Sequence, residues 1–149
     1  MSLQLNIDQD IKSAMLSKDS IRLRGLRAIK AALLVAKTEK GAQEVLTEEA
    51  ELKVLQKLAK QRKESADIYQ SQNRPDLYQI EQEELQVIET YLPKQMDKDA
   101  ISSYIKGVIA QTGASGMKDM GKVMAVVSKD LAGKADGKTV SELVKELLA

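Results

Sequence analysis

The sequence predicts an all-α protein, and three observations carry that reading. Two prolines and eight glycines punctuate 149 residues, too few turns for a sandwich or a barrel. Four Tyr are the only aromatic residues, so the core must be Leu, Ile, Val, Ala and Met, which helix packing uses readily. Apolar residues recur at helical spacing, and no alternating run marks a strand.

The elements follow in chain order. A short first helix is expected from about Asn6 to Ser17, with Ile7, Ile11, Ala14 and Met15 on one face. Asp19 or Ser20 caps a second helix that reaches Lys40 and stops at Gly41. Residues 42–46 form a link. Thr47 caps a third helix that runs to about Asn73, and Glu48 and Glu49 suit its N-terminal dipole. Pro75 sits in the first turn of a fourth helix that ends before Pro93. Helices three and four make an antiparallel hairpin turning at Arg74-Pro75.

Beyond Pro93 the style changes: Arg disappears, Gly becomes frequent and the helices shorten. Asp97 caps a helix to about Thr112 that Gly113 ends, with Ile101, Tyr104, Ile105, Val108 and Ile109 in a stripe. Met117, Met120, Val123, Met124, Val127 and Leu131 make a second stripe. Val140, Leu143, Val144, Leu147 and Leu148 make a third. Two parts are therefore expected: residues 1–92, long helices including the hairpin, and residues 93–149, a small bundle of three short helices. The boundary falls within 92–96.

The chain has no Cys and no His. Thiol nucleophiles, thiolate zinc sites, disulfides and imidazole general bases are thus excluded. No apolar run approaches the roughly 20 residues of a membrane span. Met1 to Asp10 has no basic-then-apolar signal region, so a soluble cytoplasmic protein is expected. Net charge is +1, too near neutral to announce a nucleic-acid binder, and no DNA partner is expected. The charge is nevertheless blocked. Residues 12–40 are mostly basic, whereas Asp76, Glu81, Glu83, Glu84 and Glu89 face no basic residue in their own segment. Such blocks suit neighbouring helices that complement each other.

Two near-matches to a phosphate-binding loop fail on chemistry. Gly116 to Val123 puts Val123 where a hydroxyl would hold Mg²⁺, and Gly133 to Thr139 is one residue short between its glycines. Ser17-Lys18 and Ser128-Lys129 are adjacent pairs, and helix neighbours point about 100° apart, so neither converges on a substrate. Glu84 falls on the apolar stripe of helix four and Arg62 on that of helix three, opposite each other across the hairpin. Their pairing reads as structural, because an Arg lowers a carboxylate pKa where an acid catalyst needs it raised. No catalytic residue, metal site or cofactor site is expected.

Lysine faces are the remaining signal. Lys53, Lys57 and Lys60 share one face of helix three. On a 100° wheel Lys118, Lys122 and Lys129 lie within about 40° of one another, and Lys134 and Lys138 follow in a Gly-rich loop. Each face is either plain solvated surface or a phosphate-contacting one. Lysine without aromatics suits the shape of folded RNA rather than stacking on single strands.

Four stretches carry a resemblance. They are Lys60-Gln61-Arg62-Lys63-Glu64-Ser65, Tyr91-Leu92-Pro93, Asp119-Met120-Gly121-Lys122-Val123-Met124 and Ala135-Asp136-Gly137-Lys138. Together with Leu23 to Ala32, which looks like an early Leu/Arg-rich helix, they resemble the YqeY-like family (GatB/YqeY domain). Lys134 stands where that family often has Arg. The family is similar to the C-terminal tail of GatB, a subunit of the tRNA-dependent amidotransferase. The resemblance implies a two-part all-α fold whose C-terminal part is tail-like and helps hold tRNA. It implies none of the amidotransferase chemistry, whose domains have no counterpart in these residues. The reading is a non-catalytic tRNA- or RNA-contacting module, with Lys118, Lys122, Lys129, Lys134 and Lys138 as contacts and an amidotransferase or other translation-related protein as a possible neighbour. Its rivals are a component of a glutamine-dependent carbon–nitrogen ligase and a protein–protein adaptor.

Overall fold

A computed structural model describes residues 2–39, 41 and 45–149. Lys40 and most of the predicted 42–46 link lie outside the described residues. Seven α-helices are described: α1 (Leu3–Leu16), α2 (Ser20–Glu39), α3 (Glu48–Ser71), α4 (Pro75–Glu89), α5 (Lys98–Thr112), α6 (Met120–Asp130) and α7 (Gly137–Leu148). A 3-10 turn (Met117–Asp119) precedes α6. The all-α expectation holds, with no strand among the described residues. The chain divides into two compact units, residues 1–92 and 93–149.

In the first unit local chemistry sets the helix ends. Ser2 accepts from the Leu5 N–H, so α1 starts a turn earlier than the apolar pattern suggests. Asp19 accepts from the Arg22 N–H ahead of α2, and Thr47 accepts from the Ala50 N–H ahead of α3. Asn73 takes a left-handed conformation (φ 56°), and the Arg74 N–H reaches back to the Tyr69 carbonyl at 2.9 Å. Asn tolerates that region better than most residues. Pro75, which needs no N–H partner, then opens α4.

The core of this unit is aliphatic. Ile7, Leu26, Ile29, Leu55 and Ile88 are fully enclosed, each burial contributing about 1.5–3 kcal/mol. α2 lies against α1 and α4, and its closest approach is at Gly25. A Cβ there would sit 2.7 Å from Val87 Cβ. The two backbones therefore meet because position 25 has no side chain. Nearby, Tyr91 donates its hydroxyl to Asp10. Burial, and then that carboxylate, push the phenol up to about 12.

The second unit packs α5, α6 and α7 around Ile105, Val123, Val127 and Val144. Asp97 caps α5 at the Ala100 N–H. Gly113 ends the helix in the left-handed region (φ 69°), where glycine carries no Cβ penalty. Asp136 caps α7 at the Thr139 N–H. Leu131–Asp136 is pinned by the segment before α5. Gln95 Nε2 donates to the Gly133 carbonyl at 2.8 Å, and the Met96 N–H donates to the Lys134 carbonyl at 2.9 Å.

The glycines give a test of opposite signs. Gly25→Ala should destabilise by about 1–3 kcal/mol despite its better helix propensity, because α4 must retreat. Gly107→Ala, inside α5 with open space around it, should stabilise by about 0.5–1 kcal/mol. Thermal denaturation followed by circular dichroism reads both. A neutral Gly25→Ala would show that α2 and α4 do not meet at that residue.

Candidate functional site

Two sets of charged residues stand out, one in each unit, and they are built on different logic. In the first unit the charges are paired and partly enclosed. Glu84, only 9% exposed, is approached from two helices. Arg24 Nε of α2 donates to its Oε1 at 3.1 Å, and Arg62 Nε of α3 lies 2.8 Å from its Oε2. Arg24 also donates to Glu83 at 2.8 Å, while Glu81 stands 3.7 Å from Arg62.

Arg62 and Glu84 thus meet across the hairpin. The Arg62 N–H is not aimed at that oxygen, so the contact is an ion pair without a good hydrogen bond. Sequence reasoning missed Arg24, the third member. It comes from another helix 60 residues away, and periodicity within a hairpin carries no information about it. Three carboxylates and two guanidiniums share the cluster, and both cations are engaged. This arrangement locks three helices together, and within it Glu81 Oε2 is buried without a hydrogen-bond partner.

Glu51, in the first turn of α3, is a second enclosed carboxylate, 8% exposed. Burial raises its pKa, Glu48 adds repulsion, and the backbone N–H groups of Leu3 and Gln4 at the start of α1 pull it partly back. Among the described residues no three carboxylates converge as metal ligands.

The second unit is built differently: four of its aspartates are occupied, and the lysines singled out by the sequence form no ion pair. Asp97 and Asp136 cap helices, Asp119 accepts from the Ser115 N–H, and Asp130 accepts from the Tyr104 hydroxyl. Lys118, Lys122, Lys129, Lys134 and Lys138 are all exposed. Among the described residues none of the five makes an ion pair; Lys122 donates to the Thr112 carbonyl at the end of α5, at 3.2 Å.

The structure changes how these lysines group. Lys122 and Lys129 share one face of α6, seven residues or about 20° apart. Lys118 lies ahead of α6. It lies in the 3-10 turn, which has about 3.0 residues per turn, so a 100° wheel cannot be extended through it. Lys134 sits in the pinned loop and Lys138 in the first turn of α7. Gly133 is buried with its carbonyl engaged, and the Asp136 carboxylate already occupies the N-terminus of α7. Any phosphate contact must come from side-chain ammonium groups. The two near-matches to a phosphate loop are helix starts, at α6 and α7, with no strand ahead of them.

The sequence matches the YqeY-like protein family over residues 4–148. It is 32% identical over 148 residues to a protein of the fungus Meyerozyma guilliermondii named "Altered inheritance of mitochondria protein 41, mitochondrial", covering 95% of this chain and 74% of the relative. The Pyrenophora tritici-repentis protein of the same name is 29% identical, covering 95% of this chain and 78% of that one. That of Clavispora lusitaniae is 30% identical, over 88% and 77%. These names overturn the expectation of a cytoplasmic protein, since the relatives are designated mitochondrial. The physical reason is that composition and hydropathy report whether a helix crosses a bilayer, not the compartment. Among the described residues no helix is long and apolar enough to do so.

The enclosed charges generate two predictions. Glu84→Ala removes the carboxylate shared by both guanidiniums, leaving Arg24 only Glu83 and Arg62 only the more distant Glu81, and should cost about 3 kcal/mol, whereas Arg62→Met with Glu84→Leu should cost distinctly less than either single change. Equal costs would mean that the pair is solvated. For Glu51 the sign follows from its raised pKa: the unfolded chain loses the proton first, so stability falls as pH rises through the folded pKa. The Tm advantage of Glu51→Gln over the wild type should be present at pH 7 and shrink toward pH 4.5, the ordinary value for this carboxyl. A pH-independent difference would remove the titration.

Proposed function

The chain belongs to the YqeY-like family, and on that premise we propose that it is a non-catalytic helical module whose second unit contacts tRNA or another folded RNA, in translation or tRNA-dependent amidation. The observation that supports this is the asymmetry of pairing in residues 93–149. Asp97, Asp119, Asp130 and Asp136 are spent on helix caps and internal hydrogen bonds, while Lys118, Lys122, Lys129, Lys134 and Lys138 project into solvent without an ion partner among the described residues. Unpaired ammonium groups are what a phosphate backbone takes, since each contact releases condensed counterions. The unit supplies no stacking platform. Its one aromatic side chain, Tyr104, is tied to Asp130, so recognition runs through backbone shape.

The likeness to the tail of an amidotransferase subunit points the same way. That tail helps hold tRNA in a larger enzyme, and the enclosed charge cluster of the first unit gives no counterpart of the chemistry. The module therefore acts as an RNA-holding part beside an enzyme that supplies catalysis.

Fluorescence anisotropy with labelled tRNA at several salt concentrations tests this. Affinity should fall with salt at a log–log slope of about −0.7 to −0.9 per phosphate contacted. Lys122→Glu with Lys129→Glu, on the shared face of α6, should weaken binding at least tenfold and flatten the slope by about two contacts, with helicity and Tm nearly unchanged. Lys118→Glu and Lys134→Glu with Lys138→Glu should act separately and more weakly. Unchanged affinity in the α6 double variant would remove that face, and no tRNA binding by the wild type at low salt would end the proposal.

A further inference from the structure

In the first unit α2 turns one face to the core and lines an open groove with another. Ala28, Ala31, Ala32, Val35, Ala36 and Glu39 fall on that second face, repeating at i, i+3, i+4, i+7, i+8 and i+11. Across from it α3 presents Ala50, Lys53, Val54, Lys57, Leu58 and Gln61 in the same repeat. Between the two lies a cavity of about 630 Å³. Both walls extend over three turns, about 16 Å at the α-helical rise; Ala32, Val54 and Leu58 pack on the core beneath, and Leu46 also lines the groove. Val35 remains 59% exposed on this surface, although it belongs to a segment with ample apolar core elsewhere.

The two helices are in contact, yet these faces leave an open groove between them on which a third helix can lie. The α2 wall is almost all alanine, and small side chains let helix axes approach to about 8 Å. The α3 wall is different. Lys53 and Lys57, four residues apart, put two ammonium groups on one rim, with only an exposed i,i+4 contact from Lys53 to Glu49 at 3.4 Å to compete for them. Such a surface pair is weak and easily traded. Arg62 closes one end but is already committed to Glu84, and Glu39 lies at the other.

We infer that this groove seats an amphipathic helix of a partner protein, apolar along one stripe and carrying two carboxylates four residues apart on the flank that meets Lys53 and Lys57. Charge complementarity and the match of length decide between occupants. Nucleic acid would meet an alanine and valine floor with no aromatic side chain among the lining residues. A second copy of the chain has no suitable helix to offer from its acid-rich segment, because α4 already buries its apolar face in the hairpin. This groove lies in the first unit, apart from the lysines proposed to contact RNA, so the two readings stand or fall separately.

The probe is a fluorescein-labelled helical peptide of about 18 residues. It carries leucines at i, i+3, i+4 and i+7 and a Glu pair at i, i+4; a twin carries Lys in place of Glu. Titrated with the full chain, the acidic peptide should bind at least tenfold tighter than its twin. Ala32→Trp, which plugs the groove, should cost the acidic peptide at least tenfold while leaving tRNA affinity unchanged; Ala36→Leu serves if the larger plug lowers Tm by more than a few degrees. Lys53→Glu with Lys57→Glu should reverse the preference to the basic twin. Equal affinity for both peptides, no binding, or indifference to both plugs would overturn the inference. So would phosphatidylglycerol vesicles that bind in a plug-sensitive way and displace the peptide, which would make the occupant a lipid. Self-association abolished by the plug would overturn it in favour of a second copy.

Discussion

The first unit depends on one carboxylate. Glu84 lies on α4 and is met by Arg24 from α2 and Arg62 from α3, at 3.1 and 2.8 Å. Each contact alone is an ordinary ion pair, and enclosing one is as often neutral as stabilising, because desolvation offsets attraction. What the trio adds is geometry. A guanidinium from each of two neighbours fixes the azimuth of both helices about α4, and an aliphatic core cannot do so: Leu and Ile pack in many registers at similar cost. Gly25 completes the constraint, since α2 reaches close enough for Arg24 only where no side chain separates it from Val87.

The same constraint explains the open groove. With α2 drawn toward α4 and α1, its alanine face meets α3 only across an open groove. The alanines are then neither core nor ordinary surface. They are too small to contribute much buried area and too apolar to be favoured by water. A helix laid on them recovers that area without displacing long side chains, and the lysines of α3 set which helix is accepted. Specificity at such a site comes more from excluding the wrong charge than from the apolar contact itself.

Much of the fold was legible because its punctuation is local. Thr47, Pro75, Asp97 and Gly113 act within a few residues of themselves, and each ends or starts a helix by hydrogen bonding or by backbone conformation. The pairing of helix three with helix four was legible for the same reason, as a short turn sets its register. Three things were not. Arg24 joins Glu84 through a contact 60 residues apart in sequence, and the azimuth of a third helix is not encoded in the stripes of the other two. The 3-10 turn at Met117–Asp119 has an apolar pattern indistinguishable from the helix that follows, so the sequence placed Lys118 on a continuous helix where the pitch in fact changes. The loop at Gly133 reads as open from its glycines, yet Gln95, 38 residues earlier, closes it. In each case a long-range hydrogen bond or a change of helical pitch overrode a local signal.

The two units also show two ways of using charge, and the difference bears on function more than any single residue does. Where carboxylate and guanidinium are enclosed together, as around Glu84, both are consumed in holding helices, and neither is left to meet a ligand. Where carboxylates are consumed by backbone N–H groups and a tyrosine hydroxyl, as in the second unit, the cations are left over. Net charge does not register this, because capping acids and free lysines cancel in the sum and the chain totals +1. What a phosphate backbone senses is the outward field of side chains that are not already bonded. Residues 93–149 carry nine lysines and seven carboxylates, and with Asp97, Asp119, Asp130 and Asp136 tied to backbone N–H groups or a tyrosine hydroxyl, the lysines are the side chains left to meet a phosphate.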